Sequence, residues 1–259
     1  MIRAIRDNWA LFAGMAMLMM ANGLLATLLS IRGSEIGFSE TMIGVMQAGY
    51  PVGALIGCVI APRLVERVGH VRAFGALASL CSVAAVVHLV TDDAGTWTAM
   101  RVLAGFCFPG LYVISESWLN AKVSNAQRAA VLSIYFVVQT GGAAVGQALV
   151  GFGDATVLFA ITSVLISLSL IPLLLSVKPA PDYVAPDRLP FAKLLAISPT
   201  AVLGAGINGV SQSAFYVALS LYGLALGKSV AEATGLLVVG TLAGAAVQMP
   251  VGWLSDKMD

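Results

Sequence analysis

Charge is scarce in this chain. Asp, Glu, Lys and Arg together make up 10% of its 259 residues, against about 25% in an ordinary soluble domain. A soluble fold of this length needs far more charge to cover its surface, so that class is excluded. Histidine occurs twice and cysteine three times. Cys58, Cys81 and Cys107 lie far apart inside apolar stretches, with no C-x-x-C. They read as small apolar core residues and not as a disulfide framework or a metal site. No H-E-x-x-H, G-x-S-x-G or Walker loop occurs, so the chain reads as neither an enzyme nor an ATP-driven pump and calls for no cofactor. The net charge is +1. With no clustered basic face, it offers no footing for nucleic acid.

What the chain has is apolar length. Hydrophobic residues make up 59% and the mean hydropathy is +0.92, which also excludes disorder. A helical span needs about 20 apolar residues, so this length holds about eight spans with short loops. The expected fold is all-α and polytopic, embedded in a lipid bilayer. Charges divide the sequence into spans at 8–30, 40–61, 72–90, 97–119, 128–150, 155–177, 199–222 and 231–252. The first has no small-x-small cleavage site and reads as an uncleaved span.

The basic residues sort by side. Arg3 and Arg6, then Arg63, Arg67 and Arg72, then Lys122 and Arg128, then Lys178, Arg188 and Lys193, then Lys257 fall on alternate connections. The opposite side has Arg32 and Lys228 and carries Glu35, Glu40, Asp92, Asp93, Asp154 and Glu232. The positive-inside rule places both termini in the cytoplasm, with a multi-pass chain in the cytoplasmic (inner) membrane. The longest connection, 178–198, contains Pro179, Pro181, Pro186 and Pro190, and Pro199 follows it. This proline-rich stretch predicts an extended, semi-rigid cytoplasmic linker. It divides a bundle of residues 1–177 from a second unit of residues 199–259.

Spans one and two repeat in spans seven and eight. Gly44, Gly49 and Gly53 match Gly235, Gly240 and Gly244 at a constant offset. Gly33, Gly37 and Ser39 match Gly223, Gly227 and Ser229 at an offset smaller by one. Duplicated bundles are a transporter signature. The segments after spans two and eight also correspond. Pro62-Arg63-Leu64-Val65-Glu66-Arg67-Val68-Gly69 and Gly252-Trp253-Leu254-Ser255-Asp256-Lys257 both read x-x-Leu-x-acid-base.

These segments resemble the loop motif of the major facilitator superfamily, G-x-L-a-D-r-x-G-r-k, which follows helix two and recurs after helix eight. Gly252, Leu254, Asp256 and Lys257 fit it. In the first copy Leu64, Arg67 and Gly69 are kept, while Pro62 replaces the glycine and Glu66 the aspartate. Arg101-Val102-Leu103-Ala104-Gly105 is similar to the family's helix-four R-x-x-x-G. Glu116-Ser117 on the same span resembles a YcaD-like branch of bacterial carriers. The resemblance implies a six-helix N-terminal bundle, then the first two helices of a C-terminal bundle, and a secondary transporter of a small solute. Because the family has twelve helices, it also implies a truncated chain. Two further readings follow. One is a fragment or split carrier whose missing helices come from a second chain. The other is a membrane scaffold or sensor on the same fold.

Arg101 lies inside span four, where a charge is costly, roughly 2.5–3.5 kcal/mol at the helix centre. It either snorkels to the outer surface or faces a central cavity, to meet an anionic group or to couple a proton or another ion. The resemblance implies the second role. Glu116, near the inner end of that span, either carries a proton or pairs with Arg67 or Arg63 to lock the cytoplasmic gate. Under the second reading Glu66, Arg67 and Asp256 control conformation. Asn208, Gln212 and Tyr216 form one polar stripe at i, i+4, i+8 on span seven. Tyr135 and Gln139 lie on span five, Gln47 and Tyr50 on span two and Asn22 on span one. Each is either interhelical glue or part of a wet cavity. By resemblance, helices one, four and seven line that cavity, with two, five and eight beside them. The pairs Gly53/Gly57, Gly142/Gly146 and Gly240/Gly244 predict close helix approach.

Overall fold

The computed structural model describes residues 6, 8–122, 125–175 and 190–255. Every regular element among them is helical. In chain order these are α1 (Trp9–Glu35), α2 (Glu40–Val68), α3 (His70–Val90), α4 (Ala94–Lys122), α5 (Asn125–Leu149), α6 (Ala155–Leu168), α7 (Ile171–Leu175), α8 (Phe191–Ile197), α9 (Pro199–Ala225) and α10 (Val230–Ser255). Eight stretches are long and apolar enough to cross a membrane, with α6 and α7 forming one of them. They correspond one to one with the eight expected spans. The chain is a multi-pass helical membrane protein.

The spans run a few residues past several expected ends, to Glu35 in the first and from Ala94 to Lys122 in the fourth, and three departures matter more. Span two does not end at Pro62. It continues to Val68, with Pro51 and Pro62 inside the helix. Leu64, Glu66 and Arg67 therefore sit on its last turns and not in a loop. The break is Gly69 alone, at φ 81°, a conformation that favours glycine, and α3 starts at His70. Span six is interrupted between Leu168 and Ile171. Pro172 there has no N–H to donate back to the Leu168 carbonyl. The linker is not extended throughout, because its residues 191–197 form α8. Six of those seven residues are apolar, and seven residues make about two helical turns. Lys178 and Arg188 lie outside the described residues.

The repeated turns correspond bond for bond. Gly37 and Gly227 have φ of 89° and 73°. Phe38 N–H donates to Gly33 O at 2.8 Å, and Lys228 N–H to Gly223 O at 3.1 Å. Gly37 N–H donates to Ser34 O, and Gly227 N–H to Leu224 O. Each is a glycine-terminated helix end of the Schellman type. Each next helix is then capped by a serine: Ser39 Oγ accepts from Met42 N–H and Ser229 Oγ from Glu232 N–H. A side chain added at Gly33 would meet Ile43, and one added at Gly223 would meet Ala233. Both pairs are related by the same offset.

Small residues set the packing, as expected where lipid leaves no hydrophobic drive between helices. Along the α2–α4 seam, a Cβ at Gly53 would strike Val102 O, one at Gly57 would strike Phe106 O, and one at Gly105 would strike Tyr50 O. Along the α1–α5 seam, Gly23 abuts Ala143 and Gly146 abuts Met20. Gly240 abuts the Phe215 ring, whereas Gly235 and Gly244 meet nothing within 4 Å. α3 packs on α4 and α6, α10 packs on α5, and α9 packs on α10 and α1. α1 is the most enclosed span and α9 the least, with 67% and 0% of their apolar windows buried. Among the cysteines, Cys81 and Cys107 are core residues as expected, but Cys58 is exposed. Asp93 precedes α4, and its carboxylate accepts Thr96 N–H at 2.7 Å. That bond holds the carboxyl below the usual carboxylate range.

Candidate functional site

Arg101 is the eighth residue of α4, about 10 Å in from the helix start at 1.5 Å per residue. That is two turns, not the one turn the hydropathy boundary suggested. The side chain does not snorkel. It is 5% exposed and its partners are on α2. Nε donates to Gln47 Oε1 at 2.8 Å. The guanidinium carbon lies 4.5 Å from the centre of the Tyr50 ring, a cation–π distance. Gln47 and Tyr50 are one turn apart on α2, so one face of that helix meets the charge twice. The glycine seam lets it come close enough to do so.

Gln47 is itself held. Its Nε2 donates to Ser30 Oγ at 2.8 Å and to Ala26 O at 3.0 Å, both on α1. Three spans therefore converge on one buried network. It is incomplete, because Arg101 Nη1, Asn22 Oδ1 and Tyr112 Oη are buried without hydrogen-bond partners. Asn22 and Tyr112 both stand beside the Tyr50 hydroxyl. Leaving a buried polar group unpaired costs about 1–3 kcal/mol, more for a charge. His88 Nε2 is buried without a partner as well, and of these atoms only Arg101 Nη1 carries charge. Ser30 and Tyr112 are members that sequence reasoning missed. Tyr112 had a signal, since eleven residues on from Arg101 is three helical turns on the same face.

A separate aromatic cluster lies where α3 ends and α4 begins. His88 stacks on Phe159 at 5.5 Å and meets Trp97 edge-on at 5.3 Å, and Trp97 also meets Phe38 edge-on. His88 Nδ1 is 2.6 Å from Ala84 O, so Nδ1 carries the proton and donates.

The other candidates are placed elsewhere. Glu116 does not pair with Arg67 or Arg63 among the described residues. Its Oε1 accepts from Tyr135 Oη at 3.2 Å, with Gln139 beside Tyr135, while Arg63 reaches back to Val59 O. The long α2 explains this, because it carries both arginines on its own last turns, exposed. Asn208 and Gln212 are exposed on α9, and Tyr216 is half-buried beside Phe215. This stripe does not join the Arg101 network. Gly252 and Leu254 lie on the last turns of α10, and Asp256 and Lys257 lie outside the described residues. No group of three or more metal-ligating side chains occurs among the described residues.

Comparisons with known proteins agree with this architecture. Residues 11–259 match the family described as the Major Facilitator Superfamily. A protein named "Uncharacterized MFS-type transporter" from Yersinia pestis (strain Pestoides F) is 27% identical over 256 residues, 95% of this chain and 66% of that protein. The staphylopine export protein of Staphylococcus aureus (strain Mu50) is 24% identical over 152 residues, 58% of this chain and 38% of that one. A solved auto-inhibited POT family peptide transporter superposes with a TM-score of 0.60 at 14% identity, over 92% of this chain and 52% of that one. This last likeness shows the fold alone. The chain thus spans 66% of the length of the Yersinia relative and about half that of the solved transporter.

Proposed function

The chain belongs to the major facilitator superfamily, and from that premise we propose that it serves secondary active transport of a small anionic solute across the cytoplasmic (inner) membrane. The observation that carries this reading is Arg101: a buried guanidinium, fixed by Gln47 and Tyr50, with Nη1 unpaired. A buried charge without a counter-ion is strongly unfavourable, and an anionic solute supplies the missing partner. The transporter names of the relatives agree with transport, and the absence of enzyme motifs agrees with a non-enzymatic role.

Alternating access would rock residues 1–177 against the unit from 199 onward, across the 178–198 connection. Leu64, Glu66, Arg67 and Gly69, with Gly252, Leu254, Asp256 and Lys257, would form the inner gate. The distribution of Lys and Arg puts that gate and both termini on the cytoplasmic side. Glu116, an acid inside a span, is the group best suited to a proton as coupling ion. The exposed amides Asn208 and Gln212 are unfavourable against lipid. We read that face of α9 as covered by further transmembrane helices, in the same chain or a second one.

Uptake of radiolabelled organic anions into membrane vesicles tests the proposal. Arg101→Ala should lower uptake at least tenfold at equal membrane abundance, since hydrogen bonds to charged groups contribute about 1.5–3 kcal/mol. Arg101→Lys should retain part of it. Unimpaired uptake by Arg101→Ala would remove Arg101 from the site.

A further inference from the structure

We infer that Cys81 and Cys107 form a two-coordinate site for a soft monovalent cation, Cu(I) or Ag(I), on the seam between α3 and α4. The inference stands apart from what the protein transports.

The seam brings together two cysteines that lie far apart in sequence. At its inner end His70 Nε2 lies 3.2 Å from Ser117 Oγ, and the His70 ring meets Trp118 edge-on at 5.6 Å. Further along, a side chain added at Gly110 would meet Leu77. At the other end His88 meets Trp97 at 5.3 Å. Residue numbers rise on α3 as they fall on α4, so the two helices run antiparallel in one register. At about 3.6 residues per turn, Cys81 lies three turns on from His70, and Cys107 three turns back from Trp118. The same step from one contact pair therefore lands on both cysteines. From the nearer pair, Cys81 is one turn past Leu77 and Cys107 one turn before Gly110. Both side chains are fully buried, and a side-chain hydrogen bond joins their thiols.

Thiolates are the soft ligands that select Cu(I). Side chains in contact stand about 4.0–4.5 Å apart. Two metal–sulfur bonds of about 2.3 Å each, set in line, span nearly the same distance. A linear sulfur–metal–sulfur unit thus fits where the thiols already meet. Binding exchanges two S–H bonds for two S–metal bonds and releases two protons. Charge then selects the valence. Two thiolates and a monovalent ion leave one negative charge in the membrane core. The cation facing Cys81 is Arg101, which is buried with Nη1 unpaired. It neutralises the unit, as a buried charge requires. The dithiolate complex and an anionic solute are alternative partners for that guanidinium. Tyr50 and Tyr112 also face Cys81, and as neutral phenols they add no charge. A divalent ion would leave a net positive charge. Zn(II) also calls for four ligands, and no group of three or more metal-ligating side chains occurs among the described residues.

The test is calorimetric titration of silver nitrate, in chloride-free buffer, into the purified protein carrying Cys58→Ser, which removes the exposed thiol. One Ag(I) should bind per chain with release of two protons, read from the dependence of the heat on the buffer's ionisation enthalpy. Cys81→Ser and Cys107→Ser should each weaken binding by more than the roughly 10–100-fold that outer-shell changes cost. Arg101→Gln should weaken it by an amount within that range. Zn(II) should not compete. X-ray absorption at the silver edge should give two sulfur neighbours. If a serine variant fails to fold, those two neighbours together with two released protons decide the matter, since methionine sulfur releases none. No binding of Ag(I), oxygen or nitrogen neighbours, or affinity unchanged by either serine variant overturns the site. Affinity unchanged by Arg101→Gln, or equal binding of Zn(II), overturns the selection of a monovalent ion.

Discussion

At the scale of single residues, Gln47 decides what Arg101 is free to do. It donates twice to α1 and accepts once from the guanidinium. Being neutral, it orients the charge without cancelling it. Gln47→Glu keeps the shape and supplies a counter-ion. A carboxylate adds a full counter-charge to a bond whose donor is already charged, so Arg101 would become more firmly held and less able to bind an anion. The expected result is organic-anion uptake reduced by more than tenfold, with a melting temperature lowered less than in Gln47→Leu, because the carboxylate gains an ion pair but can no longer donate to Ala26 O. Gln47→Leu, by contrast, strands Arg101 Nε and should lower the melting temperature further. Of this network the sequence made Arg101, Gln47, Tyr50 and Asn22 legible as candidates, because polar side chains are conspicuous in apolar spans. It did not show that they meet. Nor did it show that Asn208 and Gln212 stay apart, because the rotation of α9 about its axis is set by neighbours and not by its own polar spacing.

At the scale of elements, the glycine seam between α2 and α4 holds the site together. Gly53 has the backbone of Val102 and Phe106 where a side chain would go. Gly53→Val must force the helices apart, at about 1–3 kcal/mol by comparison with overpacked cores. It would also pull Gln47 and Tyr50 away from Arg101. A lower melting temperature together with lost anion binding is expected. Gly44→Ala and Gly141→Ala, where nothing lies within 4 Å, should be neutral in both measurements. Equal effects of Gly53→Val and Gly44→Ala would show that the seam does not position the site. The extension of α2 to Val68 belongs to this scale as well. Pro62 read as a stop signal, yet α2 runs through it to the positive φ of Gly69. A proline removes one hydrogen bond, and in a span packed by neighbours the helix continues around that gap.

At the scale of the whole molecule, α10 meets α5 through Thr241 Oγ1, which donates to Gln147 Oε1 at 3.0 Å. Gln147 is 1% exposed. The two helices lie on opposite sides of the 178–198 connection, so a rocking motion between the two units must break this bond. Cross-linking Gln147→Cys to Thr241→Cys with a short, reducible bis-thiosulfonate reagent, in a background lacking the native cysteines, should stop uptake while leaving anion binding intact. Reduction should restore uptake. Full uptake after quantitative cross-linking would mean that these helices do not separate during transport.

The sequence by itself determined the class and the span count, because lipid imposes a length and an apolarity that every crossing helix must meet. It also determined the repeat. Gly33, Gly37 and Ser39 recur as Gly223, Gly227 and Ser229, and local backbone rules turn that recurrence into the same turn twice. What only the tertiary structure decided was which polar groups come together. Arg101, Gln47, Ser30 and Tyr112 lie on three helices, and their meeting depends on helix rotation and close approach at Gly53 and Gly105. The same holds for Glu116, whose partner among the described residues is Tyr135 and not Arg63 or Arg67. Hydropathy records where a helix crosses. Which of its faces turns inward is decided by the packing of its neighbours.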